Sequence, residues 1–576
     1  MQRQRSKLAP LGAGRCPRIG TQPPRSNDRV AIGPYDAETL RHLAVLEHAD
    51  STALNGKTVQ RRAAGRFYTH ELIAAALARQ LAERIASNAR PVSIIDPFAG
   101  DGRLVVHTME TLAARGVRDI DVAVWDYDEC AVGLAGRNVQ AAASALGLSI
   151  DLEVWAGDTF DRAVNERRTW TAVVTNPPWE LLKPDRREMD LLPLGLRDEY
   201  VTELRAFDDR LASEFPVSQP SRSFAGWGTN LSRVGTEVAL RLTARGGVCG
   251  VVCPSSLLAD STTSSLRRWL LENFALTDVS HYPAEARLFE AVDVPCCTFV
   301  AVRGAERSGT RLTRVGANRK VADQAFVSLD PAWLEQRDYA IPVQFGANGI
   351  ELLSRFDAHP RFSTLECPLP TGLWAGRELD ETGRAFFTMP AGDHPFVRSL
   401  HVRRLSPVRS PPEYLDTTRR EVPRSSEHVR LVWRDISRPS QTRRIHAALL
   451  EPGCVTGNSV SVAYFRDDDQ RRLLALLAAV SSLPFEFQVR SLLMTNHVSL
   501  SVMRAARLPV LDGAVVAELS VAARRCLDGH SGAEPRLEVA VASAYGLDRD
   551  TWERLASHFD LADEDRTALQ VAWSDA

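Results

Sequence analysis

Between residues 92 and 304, short β-branched and apolar runs alternate with stretches that carry apolar residues at helical spacing. The first unit consists of VSIID, a glycine-containing turn and LVVHTMETLAARG, and DVAVWDYDECAVGLAGRNVQ repeats the pattern. Two further strands are predicted in LEVW and TAVVT, each followed by polar residues. Strands that alternate with helices predict an α/β fold with a central, mostly parallel sheet, whose ligand site lies at the carboxyl ends of the strands.

The same pattern continues on both sides of one less regular segment. THELIAAALARQLAERIA predicts a helix over residues 69–86 with Thr69 as its cap. Residues 180–224 are charged and weakly periodic, which favours an inserted loop or a substrate-covering element. The next helix is expected to end at Gly246 and Gly247, before a buried strand VCGVVCP and a helix SSLRRWLLENF. Two strands, ALTDVSHYP and CCTFVAVRG, would complete the sheet near residue 304.

The length of 576 residues predicts two large folding units with smaller appendages. We expect a flexible basic arm at residues 1–30, without the apolar block of a secretory signal, and a first domain at 31–330. The composition then changes to short runs with frequent Pro and Gly, which we assign to a second domain at 331–511. Ala-rich sequence returns near Asp512 and predicts a helical segment at 512–576.

Charge and cysteine content exclude several classes of protein. The formal net charge is only -2, so a surface for an acidic partner has to be a local patch. The nine cysteines include no CxxC pair, which indicates neither a disulfide framework nor a zinc site, and no metal is expected. No apolar stretch is long enough to cross a bilayer, and we expect a cytoplasmic protein without a membrane contact.

The sequence DPFAGDGR at residues 96–103 places a glycine turn between a predicted strand and a predicted helix. Gly100 and Gly102 allow a ligand to approach the backbone, and the helix that follows offers unpaired N–H groups. We therefore expect Asp96, Phe98 and the two glycines to bind a nucleotide-like cofactor, although any tight strand-to-helix turn has a similar composition.

Acidic residues follow the next two strands. Asp126 lies a little over twenty residues past the glycine turn, where a carboxylate can accept bonds from ribose hydroxyls. Asp128 is a rival for that role, and its other interpretation is a helix N-cap. We expect Tyr127 to pack on an adenine ring. Asp158, after the third strand, either accepts from an adenine amino group or serves as a loop or capping carboxylate.

The most informative motif is Asn176-Pro177-Pro178-Trp179, directly after the strand TAVVT. Successive prolines fix an extended backbone, so the Asn176 side-chain oxygen and the Pro177 carbonyl can together accept both hydrogens of one planar amino group. Trp179 offers an aromatic face on which a base can stack. The other interpretation is a Pro-Pro turn beside a surface tryptophan. We expect the four residues to be catalytic.

Together these motifs resemble the gamma-class adenine-N6 DNA methyltransferases of bacterial restriction-modification systems, especially those paired with type IIS endonucleases. GRFYTHELIA at residues 65–74 is similar to the amino-terminal cofactor motif of that family, with His70 in place of the usual Pro. The resemblance covers residues 65–304. It implies a class I, Rossmann-like methyltransferase domain, S-adenosylmethionine as cofactor, cofactor contacts at Tyr68 and Thr69, and methyl transfer to a flipped adenine.

The second half is similar to the target-recognition regions of the same enzymes, in WAGRELDETG, RLVWRDISRPSQTRRIHAALLEPGCVTGNSV and LLALLAAVSSLPFEFQVRSLLMTNHVSLSVMRAARLPV. This resemblance implies an α+β target-recognition domain that binds double-stranded DNA. Residues 401–446 hold eleven Arg against five Asp or Glu, which is the local positive patch that the near-neutral charge requires. Its other interpretation is a solvated Arg-rich face. The candidate DNA contacts are Arg434, Arg438, Arg443, Arg444, Asn496 and His497.

Alternatives to DNA adenine methylation stay open. A protein glutamine amide is also a planar amino group, and an RNA adenine presents the same chemistry, although no RNA-binding module is recognisable. The chain could instead be a non-catalytic DNA-specificity subunit. Its physiological role is expected in restriction-modification or another phage-defence system, so a cognate restriction endonuclease or a defence-system subunit is a further candidate partner.

Overall fold

The computed structural model describes residues 69–85, 92–184, 189, 194–220, 227–289, 294–306, 309–381, 387–438, 441–493 and 496–575. The predictions made for residues 1–30 and for Tyr68 lie outside these ranges.

From residue 71 to residue 282 the strands are separated by helices, as the sequence pattern predicts, and three further strands follow up to residue 327. In chain order the elements are α1 (Glu71–Arg84), β1 (Val92–Asp96), α2 (Arg103–Ala114), β2 (Asp119–Asp126), α3 (Glu129–Leu146), β3 (Ser149–Ala156), α4 (Thr159–Asn165), β4 (Trp170–Thr175), α5 (Leu194–Glu214), α6 (Leu231–Leu242), β5 (Thr243–Pro254), α7 (Ser256–Ala259), α8 (Ser264–Asn273), β6 (Phe274–Tyr282), β7 (Cys296–Arg303), β8 (Thr310–Val315) and β9 (Val321–Val327).

In the described part of the chain these strands form one nine-stranded sheet in the order β3-β2-β1-β4-β5-β7-β6-β8-β9. Strands β1 to β5 pair in parallel with one another, and β7 runs antiparallel between β5 and β6. Strand β8 pairs in parallel with β6, and β9 closes the sheet as an antiparallel edge. The expected α/β fold with a central, mostly parallel sheet is therefore confirmed.

Helices cover both faces of the sheet, so its central strands are apolar on both sides. All five residues of β1 are buried. Ile94 belongs to the same hydrophobic cluster as Leu77 of α1, and Ile95 to a second cluster that includes Val234 of α6. This two-sided burial explains why the apolar residues Ile94 and Ile95 of β1 are adjacent rather than alternating with polar ones.

Three boundaries differ from the predictions. His70, not Thr69, caps α1, because its Nδ1 accepts the Leu72 N–H at 3.1 Å. Helix α6 ends at Leu242 rather than at Gly246 and Gly247, since residues from Thr243 onward already pair with β4. The sheet extends beyond residue 304, because β8 and β9 add two strands that end at Val327.

The second half combines a small antiparallel sheet with many helices. Its elements are α9 (Pro331–Glu335), α10 (Gly346–Ser354), β10 (Leu373–Gly376), β11 (Thr388–Met389), β12 (Phe396–Val397), β13 (Tyr414–Leu415), β14 (Arg430–Arg434), β15 (Ala447–Leu450), β16 (Val455–Thr456), β17 (Val460–Phe465), α11 (Gln470–Val480), α12 (Leu483–Leu492), α13 (Leu500–Ala505), α14 (Gly513–Leu527), α15 (Ala533–Ala544), α16 (Arg549–Ala556) and α17 (Asp563–Ser574).

Four of these strands pair in the order β10-β17-β14-β15. One hydrophobic core, from Phe345 to Leu569, joins this sheet to the carboxyl-terminal helices. Residues before and after Asp512 therefore share a single interior. No single helix in the described ranges is long and apolar enough to cross a membrane, and α11 and α12 meet that test only as a pair bent by 63°.

Candidate active site and nucleic-acid surface

The glycine turn joins the ends of two neighbouring strands. Gly100 has φ 53° and Gly102 has φ 78°, conformations that favour glycine over residues with a Cβ. The Gly100 backbone N–H donates to Asp126 Oδ2 at 2.8 Å, so the turn after β1 is tied to the end of β2. At Gly102 an added Cβ would lie 3.0 Å from Ala135. The turn is thus a closely packed cradle with its backbone held in place.

Asp96 is buried at the end of β1 beneath this turn. Its Oδ1 accepts the Phe98 N–H at 3.0 Å and the Thr175 hydroxyl at 2.7 Å. Burial nevertheless raises the pKa of Asp96 to about 7. Because it holds both the glycine turn and the end of β4, this carboxyl group fixes the relative position of two loops of the site.

The two carboxylates after β2 have different local roles. Asp128 accepts the N–H groups of Cys130 at 2.9 Å and Ala131 at 3.2 Å, which is its helix N-cap interpretation. Asp126 instead faces the glycine turn through its bond from Gly100. This difference favours Asp126 over Asp128 for a cofactor contact. Tyr127 lies between them in the chain and is partly exposed, directly after the end of β2.

Asp158 caps α4, since its Oδ1 accepts the Phe160 N–H at 2.9 Å. Burial raises its pKa, and its Oδ2 pairs with Arg210 at 2.6 Å. Arg210 belongs to α5, the helix that occupies the middle of the segment predicted as an inserted loop or covering element. The Phe160 ring packs 5.3 Å from Phe98, centroid to centroid. Helix α5 therefore reaches the same corner of the site as the glycine turn.

The Asn176-Pro177-Pro178-Trp179 loop leaves the carboxyl end of β4, beside β1. Pro177 is buried against α6 at Gly235, where an added Cβ would overlap the Pro177 Cβ and lie 3.1 Å from the Phe98 ring. The Trp179 ring packs 4.9 Å from Phe289, at an interplanar angle of 58°. Both flanks of the loop are thus supported.

The chain after this loop is fastened to the start of α6. Leu231 donates its backbone N–H to Glu180 O at 2.7 Å, and Leu182 donates to Thr229 O at 3.0 Å. Thr69 lies at the same site, because Arg103 at the start of α2 donates to its carbonyl at 2.7 Å.

Gly235, Phe289 and Arg210 are site residues that sequence reasoning missed. A glycine in the middle of an apolar helical pattern is a local signal of close packing, and Gly235 carried it. Phe289 and Arg210 show no such signal, because only tertiary structure brings them to the motifs.

The predicted DNA-contacting residues separate into two groups. The segment with Ser437 and Arg438 meets the segment with Asn496 and His497, because Ser437 donates its N–H to Asn496 O at 2.8 Å and Asp435 accepts from His497 Nδ1 at 3.0 Å. The side chains of Arg438, Asn496 and His497 are exposed. The structure therefore brings these three residues to one surface.

Arg443 and Arg444 lie below that surface. Arg443 pairs with Glu538 at 2.9 Å and Glu486 at 3.3 Å. Arg444 is buried and donates to Ser437 O at 2.9 Å, so it supports the segment that carries Arg438. Arg434 is half-buried at the end of β14. Sequence alone did not distinguish these internal arginines from exposed ones.

No protein-family model matches the chain, and no curated protein matches it by sequence. Solved structures share its fold. A nuclease-deletion mutant of the type ISP restriction-modification enzyme LlaGI, in complex with a DNA substrate mimic, is 12% identical with a TM-score of 0.52, over 84% of this chain and 48% of that one. The type IIL restriction-modification enzyme MmeI in complex with DNA is 10% identical with a TM-score of 0.50, over 92% and 78%.

The DrdV–DNA complex is 9% identical with a TM-score of 0.50, over 82% of this chain and 59% of that one. The chain thus spans about half of the LlaGI structure and about three fifths of the DrdV structure. At these identities the likeness concerns the fold.

Proposed function

We propose that this chain is an S-adenosylmethionine-dependent methyltransferase that modifies the N6 amino group of adenine in double-stranded DNA, within a restriction-modification or phage-defence system. The observation that carries the proposal is the Asn176-Pro177-Pro178-Trp179 loop at the end of β4, directly beside the strand that leads into the glycine turn. The loop that would accept an amino group and the turn that would hold a nucleotide-type cofactor therefore lie at the carboxyl ends of two neighbouring strands.

The residues around the glycine turn fit the proposed cofactor. The left-handed conformations of Gly100 and Gly102 let a ligand approach the backbone, and the first N–H groups of α2 lie next to them. Asp126 would hold ribose hydroxyls. The remaining cofactor contacts would come from Thr69, Asp96, Phe98, Tyr127 and Asp158, with Tyr68 as a further candidate from outside the described residues. When bound, S-adenosylmethionine supplies a methyl group on a positively charged sulfur.

The catalytic loop acts by holding the amino group. The Asn176 side-chain oxygen and the Pro177 carbonyl accept its two hydrogens. These two hydrogen bonds draw the nitrogen lone pair out of conjugation with the ring and hold it in one fixed direction. Trp179 stacks on the extruded base, and Pro178 keeps the backbone extended. No covalent bond to the protein forms in this mechanism. Positioning and electrostatic stabilisation supply the rate.

The exposed surface around Arg438, Asn496 and His497 supports DNA as the substrate, because donors and a cation lie together there. Arg434 lies two residues from Ile436, which forms a bridge with His497. Arg443 and Arg444 would shape this surface from beneath through their internal partners. A cognate endonuclease or another defence subunit would be a partner of the complete system.

The test is methyl transfer from radiolabelled S-adenosylmethionine to unmethylated bacterial DNA, with the modified nucleosides identified by mass spectrometry. We expect N6-methyladenine from the wild type. Asn176→Ala should lower the rate about 100-fold or more, because it removes one of the two acceptors that act on the amino group. Cofactor affinity, measured by calorimetry, should stay within about threefold, because Asn176 is assigned to the amino group and not to the cofactor.

Asn165→Ala is the matched control, since this exposed asparagine ends α4 and donates back to Asp161 O. Its activity should equal that of the wild type. If the wild type binds the cofactor but modifies only protein or RNA, the substrate is misassigned. If Asn176→Ala loses cofactor affinity instead of rate, the role of the loop is misassigned.

A further inference from the structure

Ten of the eleven arginines between residues 401 and 446 fall into two sets once their partners are known. One set is engaged by the protein itself: Arg404, Arg430 and Arg443 pair with acidic residues below the surface, Arg444 is buried, and the exposed Arg419 pairs with Asp416. The other set is exposed, with no ion pair to a described residue: Arg403, Arg409, Arg420, Arg424 and Arg438. This second set gives the patch an external charge, and the half-buried Arg434 belongs to neither set.

Two members of the exposed set stand on one rigid loop. Residues 401–409 close on themselves, because Arg409 donates its backbone N–H to His401 O at 3.1 Å. Leu405 anchors the loop: its side chain is buried and its N–H donates to Ala447 O at 2.9 Å. Arg403 and Arg409 are therefore held at the surface by an ordered backbone.

Arg434 joins this loop from below. Its Nε donates to Val402 O at 2.6 Å, which places its guanidinium group against the residue that precedes Arg403. The pKa of Arg434 is lowered by burial and then by the positive charges of Arg403 and Arg409. The pKa of His446, whose carbonyl accepts the Arg434 N–H at 3.2 Å, is lowered to about 4 by burial and then by Arg434.

The neighbouring carboxylates are engaged elsewhere. Glu413 pairs with Arg398 at 2.6 Å, and Asp435 pairs with Arg377 at 2.7 Å and with His497. The Arg434 guanidinium group thus lies against the loop that carries Arg403 and Arg409, and no ion pair to a described acidic residue balances these three charges. Such a cluster costs free energy unless an external anion offsets the repulsion.

We propose that Arg403, Arg409 and Arg434 form a binding site for backbone phosphate groups of double-stranded DNA. This inference rests on the proposed function. Guanidinium groups present several donors in a plane and match phosphate oxygens in geometry and charge. A rigid backbone lowers the entropy cost of holding them in place. The site would fix the position of the duplex without reading its sequence.

The test is the salt dependence of binding to one labelled duplex of random sequence, a readout that requires no methyl transfer. Each phosphate contact adds about 0.9 to the slope of log affinity against log salt concentration. In the triple variant Arg403→Gln, Arg409→Gln, Arg434→Gln the slope should fall by about 2.7. Between 50 and 200 mM salt the wild type would then lose about 40-fold more affinity than this variant.

Two further variants keep the result decisive. Arg403→Gln with Arg409→Gln leaves the half-buried Arg434 in place, and its slope should fall by about 1.8. Arg79→Gln, Arg115→Gln, Arg137→Gln removes the same charge from exposed positions in or just after α1, α2 and α3, and its slope should match the wild type.

An unchanged salt slope in the triple and double variants would overturn the phosphate site. An equal fall of the slope in the charge-matched control would overturn it as well. Neither result would bear on methyl transfer. Absence of methylated DNA from a wild type that binds this duplex would overturn the proposed function, and the slopes would still report on the site.

Discussion

Asp96 shows how a single buried carboxyl group links the site to proton uptake. Burial is the largest cause that raises its pKa to about 7, and the charges of Asp126 and Asp101 add to it. Hydrogen bonds from Thr175 and Phe98 oppose this rise without cancelling it. In the unfolded chain the same group is ionised above about pH 4. Folding near neutral pH therefore binds a proton at Asp96.

We expect the pH dependence of stability to change in Asp96→Asn. Since the folded pKa lies above the unfolded value, the stability from protonated Asp96 is present below about pH 4 and lost as pH rises towards 7. In that window the wild type should lose up to about 1.4 kcal/mol per pH unit more than the variant. Urea unfolding at a series of pH values measures both slopes, and parallel curves would contradict the raised pKa.

Residue types at the ends of strands were predictable, because their chemistry is written in a few adjacent positions. Asp126 and the glycine turn are examples, and so is the capping alternative for Asp128. Arg443 and Arg403 look alike in the sequence. Only the folded positions of Glu486 and Glu538 show that Arg443 is used internally. Distinguishing paired from exposed arginines requires contacts between residues far apart in the chain.

At the scale of elements, helix α6 supports the Asn176-Pro177-Pro178-Trp179 loop. Its start bonds to Glu180 and Leu182, and its middle approaches Pro177 at Gly235. Glycine inside a helix costs up to about 1 kcal/mol relative to alanine, so its presence here indicates that the space is needed.

Gly235→Ala should therefore destabilise the protein by about 1 to 3 kcal/mol, because the added methyl group overlaps Pro177. We also expect methyl transfer to slow about tenfold or more as the loop shifts. Thermal unfolding and single-turnover kinetics measure the two effects.

Gly133→Ala is the matched change in α3, where an added Cβ meets only the end of the Arg137 side chain at 3.6 Å. It should stabilise the protein by about 0.5 to 1 kcal/mol and leave the kinetics unchanged. Equal stability and equal kinetics in the two variants would show that Gly235 does not support the loop.

Element boundaries illustrate the limit of periodicity. The helical pattern of TNLSRVGTEVALRLTARGG continues past Leu242, yet pairing with β4 draws residues from Thr243 into the sheet. The strands β8 and β9 escaped prediction because they lie beyond the apolar core strands, and β9 is largely exposed at the edge. Long-range strand pairing decides both cases, and it leaves little trace in a local window.

At the scale of the molecule, the second half is one folding unit rather than a sheet domain with an appended helical tail. The core from Phe345 to Leu569 includes Leu476 of α11, Leu519 of α14 and Leu537 of α15. Removing the last helices would expose apolar surface on α11 and α12, at about 1.5 to 3 kcal/mol for each large side chain.

In a chain that ends at Leu511 the second half should therefore lose its cooperative unfolding transition and the chain should aggregate, because several such side chains together approach the usual 5 to 15 kcal/mol of total stability. A chain that ends at Ala562 loses only α17, whose buried side chains are Leu569 and Ala572, and should stay folded with a lower melting temperature. Calorimetry and analytical ultracentrifugation compare the two. A cooperative, monomeric product from the shorter chain would show that the two regions have independent cores.

This shared core also determines which segment can be exchanged between related chains. A chimera built by grafting residues 331–511 alone would set one chain's strands against another chain's α14 and α15, and the side chains at that seam would no longer interlock. A graft that begins after β9 and runs through α17 keeps together all the side chains that pack in this core. Any exchange between related chains therefore has to move the second half as a whole.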